Sequence, residues 1–176
     1  MRTLHTQRCT LEPLLATHAE AMFQVLSDPA IYQYENAPPA SLHSLRRRYQ
    51  RLESRCSPDG SQQWLNWALR LPSGALAGVV QATVLPSGAA LVAYELASAF
   101  WRQGIASAAV AAMLNELAQA YGVHTALAVL KARNQRSAGL LQHLGFVPGA
   151  PAGLLSDAID DDEIICHKPL PVSGAK

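Results

Sequence analysis

Charge is scarce in this chain. Only 15% of its residues are Asp, Glu, Lys or Arg, and 14 basic against 13 acidic residues leave a formal net charge of +1. So even a balance sets up no global field that would draw in nucleic acid or an anionic membrane, and neither is expected as a partner. Cysteine is scarce as well. Cys9, Cys56 and Cys166 are far apart and odd in number. That argues against a disulfide framework and for reduced thiols in a cytoplasmic protein, and none has a neighbour at metal-ligand spacing. Long apolar runs are missing. Pro, Gly or charge interrupts each one before the ~18 residues that a membrane span requires. Met1–Thr10 alternates polar and apolar residues without the apolar core of a secretion signal. A soluble, intracellular protein without a metal is expected. Both common nucleotide loops, Gly-x-Gly-x-x-Gly and Gly-x4-Gly-Lys-(Ser/Thr), are absent, so a nicotinamide or ATP site has no motif.

What is present is enough apolar residue, 49% over 176 positions, to build one folded domain with a substantial core. Residues 3–12 read as a first strand ending at Pro13. Thr17 followed by Glu20 suggests a capping box for a helix that carries Ala21, Met22, Val25 and Leu26 and stops before Pro29. Residues 31–39 read as a loop. Ser41 caps a second helix to about Ser54, with Leu42, Leu45, Tyr49 and Leu52 on one face. Turns at 57–60, 72–74 and 86–88 separate strands at 64–71, 75–85 and 89–97. A helix over 104–121, a strand over 123–130, a helix over about 134–144 and a last strand over about 163–168 complete the chain. The unit 89–130 has the length of a βαβ crossover. No repeat, linker or second domain interrupts residues 3–168, and 169–176 reads as a short flexible tail.

Two segments carry chemistry. From Tyr94 to Ser107 an apolar strand meets a short turn, and Gly104 and Ala106 open an alanine-rich helix. Nothing bulky shields the N–H groups of Gln103 to Ser107. The unpaired donors and the dipole of a helix N-terminus make a candidate pyrophosphate cradle there. In the segment Asn134–Phe146, Asn134 is a natural N-cap and shares a helix face with Ser137. Leu140, Leu141 and Leu144 form a buried stripe, and Gly145-Phe146 ends the helix through a left-handed cap.

Together these segments resemble the acetyl-CoA site of the GNAT superfamily of N-acetyltransferases. The element order β-α-α-β-β-β-α-β-α-β is similar to that family over residues 3–168, most strongly over 89–147 and weakly before 60. The resemblance implies an α+β fold of mixed αβα layers. Its central, mostly antiparallel sheet is splayed between the fourth and fifth strands, with the pantetheine arm of acetyl-CoA lying between Tyr94–Leu96 and Ala128–Leu130. The family's (Gln or Arg)-x-x-Gly-x-(Gly or Ala) frame falls on Trp101–Ala106. Gly104 and Ala106 match. Trp101 departs, in a way that resembles the branch of ribosomal-protein N-terminal acetyltransferases. The cofactor-binding residues implied are Tyr94, Leu96, Arg102, Gln103, Gly104, Ile105, Ala106, Ser107, Asn134 and Ser137. The co-substrate implied is acetyl-CoA, with no metal.

For catalysis the resemblance implies direct attack of a neutral amine on the thioester. Many relatives place a tyrosine where this chain has Leu141, to protonate the departing thiolate; here Ser137 is the candidate for that end of the reaction. The Leu96 N–H is the candidate oxyanion donor. Glu95, the one acid inside the 89–97 strand, reads two ways: a general base, or a surface carboxylate paired with an arginine. His124 reads as structural and His143 as solvated. The Arg46-Arg47-Arg48 run with Arg51 and Arg55 reads as a solvated helix face. Asp157 with Asp160–Glu163 reads as an exposed loop. Tyr32, Tyr34, Glu35, Trp64 and Trp67 are candidates for the acceptor pocket. The expected reaction is N-acetylation of a primary amine, on a protein N-terminus or a small molecule. The alternative is a non-catalytic acyl-CoA sensor on the same fold. A homodimer stays open.

Overall fold

The computed structural model describes residues 1–34, 36–149, 151 and 160–171. Its strands are β1 (Leu4–His5), β2 (Thr10–Pro13), β3 (Gln63–Arg70), β4 (Leu76–Val84), β5 (Ala89–Leu96), β6 (Thr125–Lys131), β7 (Val147–Pro148) and β8 (Glu163–Pro169). They form one 8-stranded sheet in the order β1-β2-β3-β4-β5-β6-β8-β7. Every neighbouring pair is antiparallel except β5 and β6, which the crossover helix α3 (Ile105–Tyr121) makes parallel. Helices α1 (Ala19–Val25) and α2 (Leu42–Leu52) precede β3, and α4 (Gln135–His143) follows β6. No helix among the described residues is long and apolar enough to cross a membrane.

Strand alternation gives the sheet two apolar faces. Leu65, Trp67 and Leu69 of β3, Val80 and Ala82 of β4, and Val92 and Leu96 of β5 pack with Ile105, Val110, Met113 and Leu117 of α3 and Leu141 of α4. On the opposite face Ala68, Leu76 and Val79 pack with Met22 of α1 and with Leu45 and Tyr49 of α2. Each fully buried side chain of this size contributes roughly 1.5–3 kcal/mol.

Two features of the sheet position the site. First, β5 and β6 pair only over Ala89↔Thr125, Ala90↔Ala126 and Leu91↔Leu127. Beyond Leu91 the strands diverge, while β6 stays paired to β8 as far as Lys131. The expected splay is therefore present. Second, the β3–β4 register shifts between Leu69↔Gly78 and Arg70↔Leu76, leaving Ala77 as the extra residue of a bulge. Gly78 lies directly under the end of β5. A Cβ there would run into the Glu95 carbonyl oxygen and come within 2.8 Å of Leu96 Cα.

Four details differ from the sequence reading. The strand expected over 3–12 is a hairpin of β1 and β2. Thr6 breaks it, because its hydroxyl accepts the N–H groups of Arg8 and Cys9 and donates to the Cys9 carbonyl. Pro13 is the last residue of β2, not a stop beyond it. Thr17 caps nothing: it lies inside a single 3-10 turn, Ala16–His18. The Leu15 N–H donates to the His18 ring and the Ala16 N–H to the Glu53 carboxylate, a partner 37 residues away that no local pattern reveals. The two-residue β7 was not expected. The cap at Ser41 is as read, with Ser41 and Ser44 each accepting the other's N–H.

Candidate active site

The divergence of β5 from β6 leaves peptide groups without a strand neighbour. The Leu85 N–H donates to the Ala89 carbonyl and the Ala97 N–H to the Ala77 carbonyl. Residues 89 and 97 therefore point their peptide groups at β4, and by strand alternation so do those between at odd positions. The groups of Val92, Tyr94 and Leu96 point the other way, into the gap. The Leu96 carbonyl confirms the direction, since the Trp101 indole N–H reaches it from the gap side at 2.9 Å.

At the mouth of the gap α3 begins. Gly104, the residue before it, has φ 74, and Arg102 has φ 59. No side chain caps α3, so the N–H groups of Ile105, Ala106 and Ser107 stay available to an anion at the positive end of a 17-residue helix. Across the gap α4 starts at Asn134, whose Oδ1 accepts the Ser137 N–H at 3.1 Å. Arg136 lies over the Trp101 ring, 3.6 Å from its centroid. Trp101 is thus fixed at both faces of its function, by a hydrogen bond to β5 and a cation–π contact to α4.

One cavity of ≈ 460 Å³ joins these parts. Its donor wall carries Tyr94, Leu96, Trp101, Gly104–Ser107, Asn134 and Ser137. Its other wall carries Ile31, Tyr32, Tyr34, Gln81 and Glu95. Glu95 faces the α1–α2 side because it pairs directly with Val79, which packs on Tyr49. Tyr32 donates to the Leu26 carbonyl at 2.8 Å. Burial, reinforced by nearby Glu95, pushes its phenol up to about 12. The turn bearing Tyr32 is tied to the end of β5 by Asp28, whose carboxylate accepts the N–H groups of Ala30 and Ser98. The Ser98 bonds hold Asp28 below the usual carboxylate range.

Most sequence-derived site residues meet here. Glu95, Ser137, Leu96, Tyr94, Arg102, Gly104, Ile105, Ala106, Ser107 and Asn134 all line the cavity. Gln103 does not: its amide is turned back to donate to the Ala99 carbonyl. Trp67 is fully buried on the α3 face, its indole donating to the Arg2 carbonyl, and the Trp64 indole donates to Gln62. Neither reaches the cavity. Leu140, read as core, lines it. Glu35 and Asp157 lie outside the described residues. The acidic run has a structural use: Asp160, Asp162 and Glu163 converge on Lys131 at 2.8–3.1 Å. His124 donates to the Ser87 carbonyl and accepts from Thr125, and His143 is exposed, as read. Arg46, Arg47, Arg48 and Arg51 are exposed.

Sequence reasoning missed three things. The roles of Trp101 and Arg136 depend on a contact between two elements 35 residues apart. Gln81 enters only through its pairing with Ala93. The third is a hydrogen bond of 2.6 Å between the Tyr94 phenol and the Ser137 hydroxyl.

The fold has relatives of known structure. RimL, a ribosomal L7/L12 α-N-protein acetyltransferase solved in complex with coenzyme A, superposes with a TM-score of 0.78 at 18% identity, over 96% of this chain and 98% of that one. A ribosomal-protein-S5-alanine acetyltransferase from Vibrio fischeri gives 0.76 at 19% identity, over 96% of each. A chimeric spermidine N-acetyltransferase from Vibrio cholerae gives 0.74 at 15%, over 93% of this chain and 96% of that one. No curated protein sequence matches. The family described as the acetyltransferase (GNAT) domain matches residues 8–147, most of the chain. With the splayed β5–β6 pair and the uncapped α3 terminus at its centre, this protein belongs to the GNAT acetyltransferases.

Proposed function

We propose that the protein transfers an acetyl group from acetyl-CoA to a primary amine by direct attack. The observation that carries this reading is one cavity in which the uncapped α3 terminus and the Glu95 carboxylate occupy opposite walls beside the diverging end of β5. The α3 terminus suits the pyrophosphate, and the free edge of β5 suits the amide-bearing pantetheine arm, which would add to it as an extra strand. Resemblance to RimL, solved with coenzyme A, supports the same choice of cofactor.

In this reading the thioester carbonyl lies against the Leu96 N–H, which stabilises the oxyanion. Glu95, directly or through one water, takes the amine's proton. That task is modest for an α-amino group of pKa about 7.7–8.0 and larger for a lysine near 10.4. Ser137 faces the departing sulfur. A thiol of pKa about 8.5 is a tolerable leaving group, so no covalent enzyme intermediate is required. The neighbours acting on ribosomal proteins and on spermidine leave the acceptor as either a protein N-terminus or a small amine. The three free thiols suit the reducing cytoplasm, where we place the reaction.

Calorimetric titration with acetyl-CoA, against ATP and NADH as controls, tests the reading. Selective micromolar binding, followed by release of CoA in the presence of an amine, is the expected result. Folded protein that ignores acetyl-CoA would remove it. Binding without turnover on any amine would favour a sensor.

A further inference from the structure

We infer that Tyr94 is the positioning residue for the departing thiolate: its phenol sets the direction in which the Ser137 hydroxyl points its hydrogen. This rests on the reading just given.

The geometry is specific. Tyr94 Oη lies 2.6 Å from Ser137 Oγ and 3.3 Å from the Ser137 carbonyl oxygen. Ser137 is held a second time, through its N–H on Asn134 Oδ1. Both residues line the cavity, and one turn further along α4 stands Leu141, which is buried and has no proton to give. The two hydroxyls and the carbonyl admit two hydrogen arrangements. In the first, Ser137 donates to Tyr94 and Tyr94 donates to the Ser137 carbonyl, a long bond. In the second, Tyr94 donates to Ser137 Oγ, and the Ser137 hydrogen is released to a third acceptor. A thiolate beside Ser137 selects the second arrangement. A hydrogen bond to an anion is roughly twice as strong as a neutral one, and each donor in such a chain polarises the next.

Tyr94 keeps its proton throughout. A free phenol titrates near 10. Burial, the largest influence on Tyr94, pushes it higher still. Transfer of the Tyr94 proton to the thiolate is therefore disfavoured. In the step itself the amine nitrogen–carbon bond has already formed and its proton has gone to Glu95. The oxyanion's electron pair re-forms the carbonyl, the carbon–sulfur bond breaks with both electrons on sulfur, and the thiolate takes its proton from solvent after release.

The decisive measurement is the apparent pKa of the CoA thiol when bound. It is read from thiolate ultraviolet absorbance, or from the pH dependence of CoA affinity with acetyl-CoA as the thiol-free control. Wild type should hold the bound thiol below the pKa of free CoA measured alongside it. Tyr94→Phe keeps the ring and removes only the hydroxyl. It should move that pKa back toward the free value and lower kcat about tenfold, leaving acetyl-CoA affinity within about twofold. Ser137→Ala should do the same, and the double variant should be no worse than Ser137→Ala, since the two act as one chain. Cys166 beside Tyr94, and Glu95, Tyr32, Tyr34, Arg102 and Arg136 on the cavity wall, are untouched in these variants. A bound-thiol pKa and kcat unchanged in Tyr94→Phe, or strictly additive effects of the two substitutions, would overturn the inference while leaving the acetyltransferase reading standing. Wild-type protein that fails to bind CoA would overturn both.

Discussion

The two walls of the cavity are made by different means. The donor wall comes from two continuous stretches, 94–107 and 134–140, and most of its features are local: a strand end, a turn at Gly104, a helix start, an Asn cap. The acceptor wall gathers Ile31, Tyr32 and Tyr34 from a turn, Gln81 from β4 and Glu95 from β5. Asp28 holds that turn against Ser98, a bond spanning 70 residues. A wall built from consecutive residues can be read from their order. A wall built from distant ones exists only once the sheet has formed. The same difference predicts that changes at the α3 terminus of the donor wall will act on CoA affinity, and acceptor-wall changes on the amine.

The sharpest separation should come from Glu95→Gln. If the carboxylate takes the amine's proton, kcat/KM for the amine falls by about a hundredfold or more while the acetyl-CoA dissociation constant stays put. Steady-state kinetics beside calorimetry would show it, and an equal loss in both would erase the division between the walls. Gly104→Ala attacks the other side. A Cβ there meets nothing closer than Arg8 Nε at 3.9 Å, so the cost is conformational. Alanine at φ 74 loses roughly 1–2 kcal/mol, and relaxation of the turn should weaken acetyl-CoA binding about tenfold.

Asp28→Asn should act more weakly than either and on one wall alone, raising the amine KM several-fold with acetyl-CoA affinity unchanged. It also carries a pH signature. Asp28 is held below its ordinary value, so its contribution to stability is present above the unfolded carboxylate pKa of about 3.9 and is lost as pH falls through the lower folded value. The melting temperature of wild type should therefore drop more steeply than that of the variant below about pH 4. The smallest effect expected is a gain. The Tyr49 hydroxyl, in a residue 2% exposed, is the buried side-chain polar atom that lacks a hydrogen-bond partner among the described residues. Tyr49→Phe should raise stability by up to about 1 kcal/mol, or ~2–4 °C in Tm. Melting curves would measure it, and CoA affinity should not move.

Much of the fold was legible for physical reasons that particular elements make plain. The turns at Pro72-Ser73-Gly74 and Pro86-Ser87-Gly88 framed β4 and β5, and Gly74, Gly88, Gly122 and Gly145 all take the positive φ that ends such elements. Thr17 failed as a cap because the turn starts ahead of it: the His18 and Ala19 N–H groups already donate to the Leu15 and Ala16 carbonyls. Trp67 failed as a pocket residue because alternation along β3 turns it to the α3 face, and which face holds the acceptor depends on where α1 and α2 dock.

By itself the sequence determined the helix start at Gly104, the Asn134 cap and the strand order leading to them, because steric limits on backbone angles and the hydrogen-bonding needs of helix ends act over a few residues. Only the tertiary structure decided that Tyr94 would meet Ser137, that Trp101 would lie between Leu96 and Arg136, and that Glu95 would share a cavity wall with Tyr32. Those contacts form when β5 parts from β6, and the parting depends on where each strand finds its neighbour, a choice made by the whole sheet.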